Sequence, residues 1–471
     1  MARKRKRVNQ GKRNAVVSST KTDLLRQALS WIVDERIFTQ LALHGNTSWI
    51  ASQLVVLAVL WVWSDKSTLT GAFGQAKELS MSILGNVAVT TYQGLMNALV
   101  TCTGKLLPLI WKRLHVFMEK AGGTYWRIGR WLPLAVDGTR VTTPRTKSNE
   151  LAFSAKNYGK GKMARSRKKW KNKEARSKKL SAPVKPQIWL TLLWHMGLKV
   201  PWSWKTGPSN SSERSHFSEL LDMTIFPENT LFCGDAGFVG YDLWTTIIAH
   251  GHSFLIRVGG NVRLLRDLGF TRRRNDLVYL WPNEASRKKE LPLVLRLMEF
   301  QGPRGTVYLA TNVMSEKALS HREASQLYRL RWGVELQFRS YKQTFGRSKL
   351  RSRTAEHAIA ELDWSLLGLG MIQLYAVKEQ IRVGSPPEQS SVSLALSVIQ
   401  DAMRSWRKDV CNPRELLQRL RCAIKDDYKR KASKHARYRP NYKDAPSATK
   451  PKIVQATKQQ KKAYQALTTA G

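Results

Sequence analysis

The chain has 471 residues, of which 42% are apolar, so it can bury the cores of about two to four domains. Its 79 Lys and Arg residues outnumber its 34 Asp and Glu residues, and the formal net charge of +45 indicates a polyanionic partner, with nucleic acid as the first candidate. The longest apolar run, at 54–63, is much shorter than the roughly 20 residues that cross a bilayer. The composition therefore excludes a disordered polymer and argues against a membrane span.

The cysteines, the histidines and the N-terminal residues argue against several further classes of protein. The four cysteines form no Cys-x-x-Cys pair and the nine histidines are scattered, which argues against a disulfide framework and a zinc ribbon. The basic N-terminus does not lead into an apolar segment, so no secretory signal is visible. We expect a cytoplasmic protein with no membrane partner and with reduced cysteines.

The chain begins with a basic arm and continues with a helical unit. Residues 1–20 have many basic side chains and almost nothing apolar to pack, so we expect disorder there until a partner binds. Apolar residues at helical spacing, with few prolines, then predict a helical DNA-binding domain over 21–125.

The character of the sequence changes near Trp131, where short apolar runs separated by polar or glycine-containing turns predict buried strands. These strands alternate with helical segments, which predicts a mixed α/β domain over 126–378. Within this domain 156–180 is a basic loop, either a solvated loop or a strap along a DNA backbone. A strand-rich stretch at about 261–305 predicts an inserted β subdomain.

The last part of the α/β domain and the C-terminus are predicted to be helical and then irregular. The segments 320–342 and 355–377 have the apolar spacing of helices. A further helical region is predicted over 379–425. From 426 to 471 the chain is rich in lysine and proline, which predicts a basic tail.

Two aspartates follow apolar strands in a chain with few acids. Asp137 follows Leu-Pro-Leu-Ala-Val, Asp235 follows Leu-Phe-Cys-Gly, and each has a glycine close behind it that allows backbone or substrate to approach. Two divalent cations about 3.5–4 Å apart can activate one oxygen and stabilise another during phosphodiester cleavage, and such cations prefer carboxylates. Both aspartates are therefore candidate metal ligands, although either one alone could be a turn residue.

A more specific pattern is the segment YRLRWGVELQFRSYK at 328–342. Helical residues advance by about 100°, so its four polar side chains at offsets of 0, 3, 7 and 14 lie within about 60° of one another on one helix face. These side chains are Tyr328, Arg331, Glu335 and Lys342. The alternative is an exposed amphipathic helix in which Arg331 and Glu335 form an ordinary i,i+4 ion pair.

The spacing of this pattern resembles the signature of the DDE transposases of the insertion-sequence-four family. Asp137 in VDGT and Asp235 in GDAGF are similar to the first and second acidic motifs of that family, and Glu335 is similar to the third. The resemblance covers about 130–377. It implies an RNase H-like fold, in which helices flank a mixed sheet and a β insertion precedes the last acidic residue.

The resemblance also implies roles for the six residues. The three carboxylates would be catalytic and would ligate two Mg²⁺ or Mn²⁺ ions. The other three, Tyr328, Arg331 and Lys342, would bind DNA phosphates near the cleaved end. In family members with a hairpin step, an aromatic residue of the insertion stacks on a flipped base, and here that residue could be Trp281, Tyr308 or none.

The activity implied by the resemblance is cut-and-paste transposition, in which the enzyme hydrolyses double-stranded DNA at the element ends and joins those ends to target DNA. The active form would be a homodimer on paired ends in the bacterial cytoplasm, associated with the nucleoid. Two alternatives stay open at this point. One is a catalytically silent DNA-binding relative, and the other is an RNase H-like nuclease that cuts without joining.

Overall fold

The computed structural model describes most of the chain. The described residues are 25–26, 28–30, 34–39, 41, 49–154, 185–269, 276–302, 305–406, 413–426 and 449–469. The predicted basic arm at 1–20 and the predicted basic loop at 156–180 lie outside the described residues.

Ten strands of the described part form one sheet. In chain order they are β1 (Leu132–Thr142), β2 (Gln187–His195), β3 (Val200–Gly207), β4 (Thr230–Gly234), β5 (Ser253–Val258), β6 (Arg263–Arg266), β7 (Leu277–Leu280), β8 (Leu293–Gly302), β9 (Gly305–Thr311) and β10 (Lys452–Gln455). Their order across the sheet is β10-β6-β7-β8-β9-β5-β4-β1-β2-β3.

The half of the sheet from β3 to β5 has the RNase H-like arrangement. The strands β1, β2 and β3 form an antiparallel meander, while β4 and β5 run parallel to β1 on its other side. Parallel strands are covered on both faces, which explains why β4 is a continuous apolar run that is buried throughout. The predicted fold class, an α/β RNase H-like mixed sheet flanked by helices, is confirmed.

Helices lie on both sides of this sheet and before it. They are α1 (Ala51–Trp63), α2 (Leu69–Leu84), α3 (Tyr92–Gly122), α4 (Lys147–Phe153), α5 (Glu213–Met223), α6 (Tyr241–Ala249), α7 (Asn283–Arg287), α8 (His321–Leu330), α9 (Gly333–Arg339), α10 (Ala355–Ile381), α11 (Val392–Arg404), α12 (Pro413–Arg421) and α13 (Lys458–Thr469). A π-helical turn, Ser340–Thr344, follows α9. Short 3₁₀ turns occupy Glu35–Phe38, Gly123–Tyr125, Ala236–Phe238 and Pro387–Gln389.

The N-terminal helices share their core with the sheet. The indole of Trp63 on α1 donates to the carbonyl of Gly368 on α10 at 2.8 Å, and that of Trp364 donates to the hydroxyl of Thr103 on α3 at 2.9 Å. The apolar residues of α1 to α3 and of the sheet belong to one buried cluster. The helix α10 is buried almost all round, so it must be covered by α1 and α3 as well as by the sheet.

By length and composition, one helix of the described part, Tyr92–Tyr125, could cross a membrane. Half of its most apolar window is buried within the protein, and α3 packs against α10. Core helices have the same length and composition, so its place in the fold accounts for its apolar character.

The predicted β insertion extends the sheet instead of forming a separate subdomain. The strand β9 pairs with β5, β8 pairs with β9, and β7 and β6 follow outward. Residues 449–469, predicted as part of a basic tail, instead form β10 and α13, and β10 pairs in parallel with β6. The prediction of a tail is wrong for this segment because its apolar residues are dispersed among lysines and find their partners only in the folded sheet.

Candidate active site

The first aspartate lies at the centre of the sheet. Asp137 is on β1, where the strand passes from its buried half to its partly exposed half, and its Oδ1 accepts a hydrogen bond from the backbone N–H of Gly138 at 2.8 Å. Burial raises the pKa of Asp137 to about 6, helped by the negative charges of Asp235 and Glu335, while the Gly138 hydrogen bond and Arg331 oppose the shift. The negative charge of the Asp137 carboxylate is therefore poorly solvated.

The second aspartate lies beside the first one. Asp235 directly follows β4, and its Oδ1 accepts from the backbone N–H of Gly237 at 2.8 Å, which begins a 3₁₀ turn. In the parallel pairing of β1 with β4, Ala135 is level with Cys233. Continuing that register by two residues brings Asp137, in the middle of β1, level with Asp235, which directly follows β4. The two adjacent strands therefore present both carboxylates at the same level.

The third carboxylate comes from a helix packed on β1. Glu335 is in the first turn of α9, and its Oε1 lies 3.7 Å from a guanidinium nitrogen of Arg331. Burial raises the pKa of Glu335, the charge of Arg331 lowers it, and the charge of Asp235 raises it again. The three carboxylates that the sequence separates by about 200 residues thus share one electrostatic environment.

The other three predicted site residues lie at the same place. The guanidinium of Arg331 is 5.5 Å from the ring centre of Tyr328; Arg331 is only 8% exposed, and its Nε has no hydrogen-bond partner. The ammonium of Lys342 donates to the hydroxyl of Thr139 on β1 at 2.6 Å. Burial lowers the pKa of Lys342 and raises the pKa of Tyr328. All six residues therefore surround the exit of β1 from the core.

The route by which the segment 328–342 reaches this place differs from the prediction. The sequence predicts one straight helix, whereas α8 ends at Leu330, α9 begins at Gly333, and a π-helical turn contains Lys342. The break lies where Gly333 packs on the ring of Trp194 so closely that a Cβ atom would overlap the indole. The single-face projection is therefore wrong in its geometry, although its residues do converge.

A fourth carboxylate, which the sequence did not single out, lies beside the two aspartates. Glu213 is the first residue of α5, and burial together with the charges of Asp137 and Asp235 raises its pKa to about 7, against the opposing charge of Arg140. A Cβ atom on Gly138 would overlap the carboxylate of Glu213. Gly138 therefore makes room for Glu213, and an acid in the first turn of a helix is too common to have revealed this role.

The carboxylates have the right chemistry for a divalent cation, since hard cations such as Mg²⁺ take oxygen ligands. Among the described residues, no three acidic, His or Cys side chains stand close enough to enclose one ion. Glu335 is instead paired with Arg331. The donor set therefore fits the metal in type.

Neither aromatic residue considered for base stacking is available in this structure. The indole of Trp281 is buried and donates to the carbonyl of Glu290 at 2.9 Å, and the hydroxyl of Tyr308, also buried, donates to Glu299 at 3.3 Å. The aromatic residue that stands exposed at the site is Trp332, at 57% exposure, between α8 and α9.

Comparison with known proteins agrees with this geometry. The family model for the transposase DDE domain matches residues 132–369, which contain Asp137, Asp235 and Glu335. The transposase InsG for insertion sequence element IS4 of Escherichia coli (strain K12) is 26% identical over 278 residues, or 56% of this chain and 57% of that protein. The chain thus spans little more than half the length of that relative.

A transposase is also among the solved structures that are similar to this chain. A cryo-EM structure of the piggyBac transposase synaptic complex with hairpin DNA covers 87% of this chain and 85% of its own, with 10% identity and a TM-score of 0.39. The assignment itself follows from the sequence comparisons. The DDE model covers just over half of the chain and includes both aspartates and the helix with Glu335, so this chain belongs to the DDE transposase family.

Proposed function

We propose that this protein is an active transposase that hydrolyses phosphodiester bonds at the ends of a DNA element and joins those ends to target DNA. The observation that carries this proposal is the meeting of Asp137, Asp235 and Glu335 around the exit of β1, where the charge of Asp235 helps to raise the pKa of both Asp137 and Glu335. A protein that only binds DNA has no need to hold repelling carboxylates together among phosphates.

Each residue of the site has a distinct task in this proposal. Two divalent cations, Mg²⁺ or Mn²⁺, held by Asp137, Asp235 and Glu335, would supply the charge that activates the attacking oxygen and stabilises the leaving one. The planar guanidinium of Arg331 suits a bidentate phosphate contact once Glu335 no longer pairs with it. Lys342 adds a compact positive charge beside β1, and Tyr328 supports Arg331 through its ring.

The proposed order of steps follows the family. Water attacks the phosphodiester bond at the element end and releases a 3′-hydroxyl, which attacks the opposite strand and becomes joined to it. A second water molecule hydrolyses this new phosphodiester bond and restores the 3′-hydroxyl, which then attacks the target DNA. The helices of 21–125 would bind the element end, and 392–422 would contact a second copy in a homodimer on paired ends. This activity would take place in the bacterial cytoplasm, at the nucleoid.

The test is to neutralise each carboxylate without changing its size. We expect Asp137→Asn, Asp235→Asn and Glu335→Gln each to reduce Mg²⁺-dependent cleavage of an element-end duplex by at least about 10³-fold, because each variant loses a metal ligand. Binding of the duplex, measured by fluorescence anisotropy, should be retained. Asp242→Asn, which neutralises an exposed acid of α6 instead, should leave cleavage unchanged.

The alternatives give different results in the same assays. Cleavage at the wild-type rate by any of the three variants would contradict the assignment of that carboxylate. A wild-type protein that binds but never cleaves would be a silent relative. Cleavage without joined donor and target products would indicate a nuclease that lacks strand transfer.

A further inference from the structure

The segment 449–469, here called the C-terminal arm, is built into the edge of the sheet. Its strand β10 pairs in parallel with β6, and the backbone N–H groups of Lys452 and Ala456 donate to the carbonyls of Val262 and Arg266 at 3.0 and 2.9 Å. At the start of the arm, the hydroxyl of Thr449 accepts from the N–H of Gly260 at 3.1 Å. The arm is therefore held in a fixed register.

The apolar side chains of the arm turn inward onto a second, smaller core. The ring of Tyr464 on α13 meets the ring of Tyr279 edge to face at 6.3 Å, and Val454, Ala463 and Leu467 pack on the same cluster. That cluster consists of Leu265, Leu268, Tyr279, Trp281, Ala285 and Ala456. The arm thus uses its apolar face for docking and leaves its other face to solvent.

All charged side chains on the outward face of the arm are lysines. All of its lysines are exposed, and no Asp or Glu occurs within 449–469. These lysines are Lys450, Lys452, Lys458, Lys461 and Lys462. Fixing five like charges within 13 residues is unfavourable in isolation, and a polyanion would relieve the repulsion.

The arm starts beside the catalytic carboxylates. The side chain of Asn261, next to the glycines that contact Thr449, donates to the carbonyl of Ala236 at 3.4 Å. Ala236 directly follows Asp235. The near end of the arm is therefore joined to the loop that holds the second catalytic carboxylate, and its lysines lead away from that loop along the sheet edge.

We propose that the C-terminal arm is a phosphate-binding surface that holds duplex DNA alongside the catalytic site. The inference rests on the proposed function, because the partner is the DNA that is cleaved at the site containing Asp235. A duplex fits better than a single strand, because the one aromatic ring of the arm, Tyr464, is packed on Tyr279 and cannot stack on bases. The lysines contact the backbone without reading sequence, so the arm should strengthen binding to any duplex.

The test replaces the five arm lysines with glutamine and measures duplex binding by fluorescence anisotropy over a series of salt concentrations in EDTA. Log K falls as log salt rises, and each lost phosphate contact makes this slope less steep by about 0.9. We therefore expect the slope to become less steep by roughly 2 to 4. The matched control, Gln455→Ala with Gln459→Ala and Gln465→Ala, alters exposed positions of the same arm without changing charge and should keep the wild-type slope. Thermal unfolding should show that both variants retain the fold.

The outcomes separate this inference from the proposed function. An unchanged slope in the folded lysine variant would overturn the arm as a DNA surface, whatever the cleavage activity, and would point to a different polyanionic partner. A reduced slope for both an element-end duplex and an unrelated duplex would support it, even if the wild-type protein proved unable to cleave. A reduced slope for the element end alone would contradict backbone contact, since phosphates are the same in every duplex.

Discussion

At the scale of single residues, the site is defined by negative charges that the fold forces together. Asp137 in the middle of β1, Asp235 directly after β4 and Glu213 at the start of α5 lie close together, and Gly138 is compatible with this only because it lacks a side chain. Carboxylates that repel one another in the free protein are prepared to accept a cation, since the ion removes the repulsion as it binds.

The position of Glu213 leads to a prediction for metal binding. Glu213→Gln keeps the shape of the side chain but removes a charge next to Asp137. A neighbouring unit charge contributes on the order of 1 kcal/mol to the binding free energy of a cation. We therefore expect Mn²⁺ to bind roughly fivefold to tenfold more weakly to this variant. Electron paramagnetic resonance of free Mn²⁺ measures this directly. Glu219→Gln, on the exposed side of the same helix, is the matched control. Equal affinities for the two variants would show that Glu213 does not take part.

At the scale of elements, the short break between α8 and α9 decides where the third carboxylate lies. Gly333 opens α9 directly against Trp194 of β2, two residues before Glu335. Any residue larger than glycine at this position would overlap the Trp194 ring, so α9 lies this close to β2 only because residue 333 is a glycine. The sheet therefore sets the position of α9.

This contact predicts a large effect of the smallest possible substitution. Gly333→Ala overlaps the Trp194 ring, which should destabilise the fold by about 1–3 kcal/mol. It should also displace Glu335, and a shift of about 1 Å in a catalytic group can cost roughly 10²-fold in rate. Gly74→Ala in α2, where nothing lies within 4 Å of the new Cβ, is the control for helix propensity. Unimpaired cleavage by Gly333→Ala would contradict the close packing.

A buried acid on α10 predicts how stability depends on pH. Burial raises the pKa of Asp363 from its ordinary value of 3.8 to about 7, although the indole of Trp204 donates to it at 2.7 Å. Between these two values the folded protein keeps a proton that the unfolded chain releases, so this group makes stability fall as pH rises from about 4 to about 7.

The corresponding experiment compares melting temperatures. Asp363→Asn cannot ionise and still offers an oxygen to Trp204, so it should match the wild type near pH 4 and melt at a higher temperature near pH 8. A melting temperature below that of the wild type at pH 8 would contradict the raised pKa. Asp242→Asn, an exposed substitution, should show no such divergence between the two pH values.

At the scale of the whole molecule, the proposed homodimer requires a surface that one chain leaves open. The helix α11 packs on α10 through its buried face, while Leu394 on its other face is 47% exposed within the predicted contact region 392–422. An exposed apolar residue of this kind is normal in isolation, but it becomes buried if a second copy packs there.

The prediction for this surface is a change in assembly on DNA. Leu394→Asp should prevent two chains from assembling on paired element ends, as measured by sedimentation, because a charge would be buried in the interface. Leu151→Asp, at a position of α4 that is 65% exposed, should leave assembly intact. Two chains in the complex formed by Leu394→Asp would remove α11 from the proposed contact.

The sequence by itself determined the family, the order of strands and helices around the two aspartates, and the six polar residues of the site. It could do so because apolar runs and short motifs are local patterns, whereas the single helix face at 328–342 was predicted wrongly. The charge of the chain likewise predicted a polyanionic partner, since net charge does not depend on the fold.

Only the tertiary structure decided what depends on contacts between distant segments. Glu213 joined the carboxylates because α5 is packed beside β1, the helix at 328–342 broke because Trp194 lies under Gly333, and residues 449–469 docked because β6 offered an unpaired edge. None of these contacts leaves a periodic trace in the sequence. Each one arises from packing between residues that the chain separates by 70 to 190 positions.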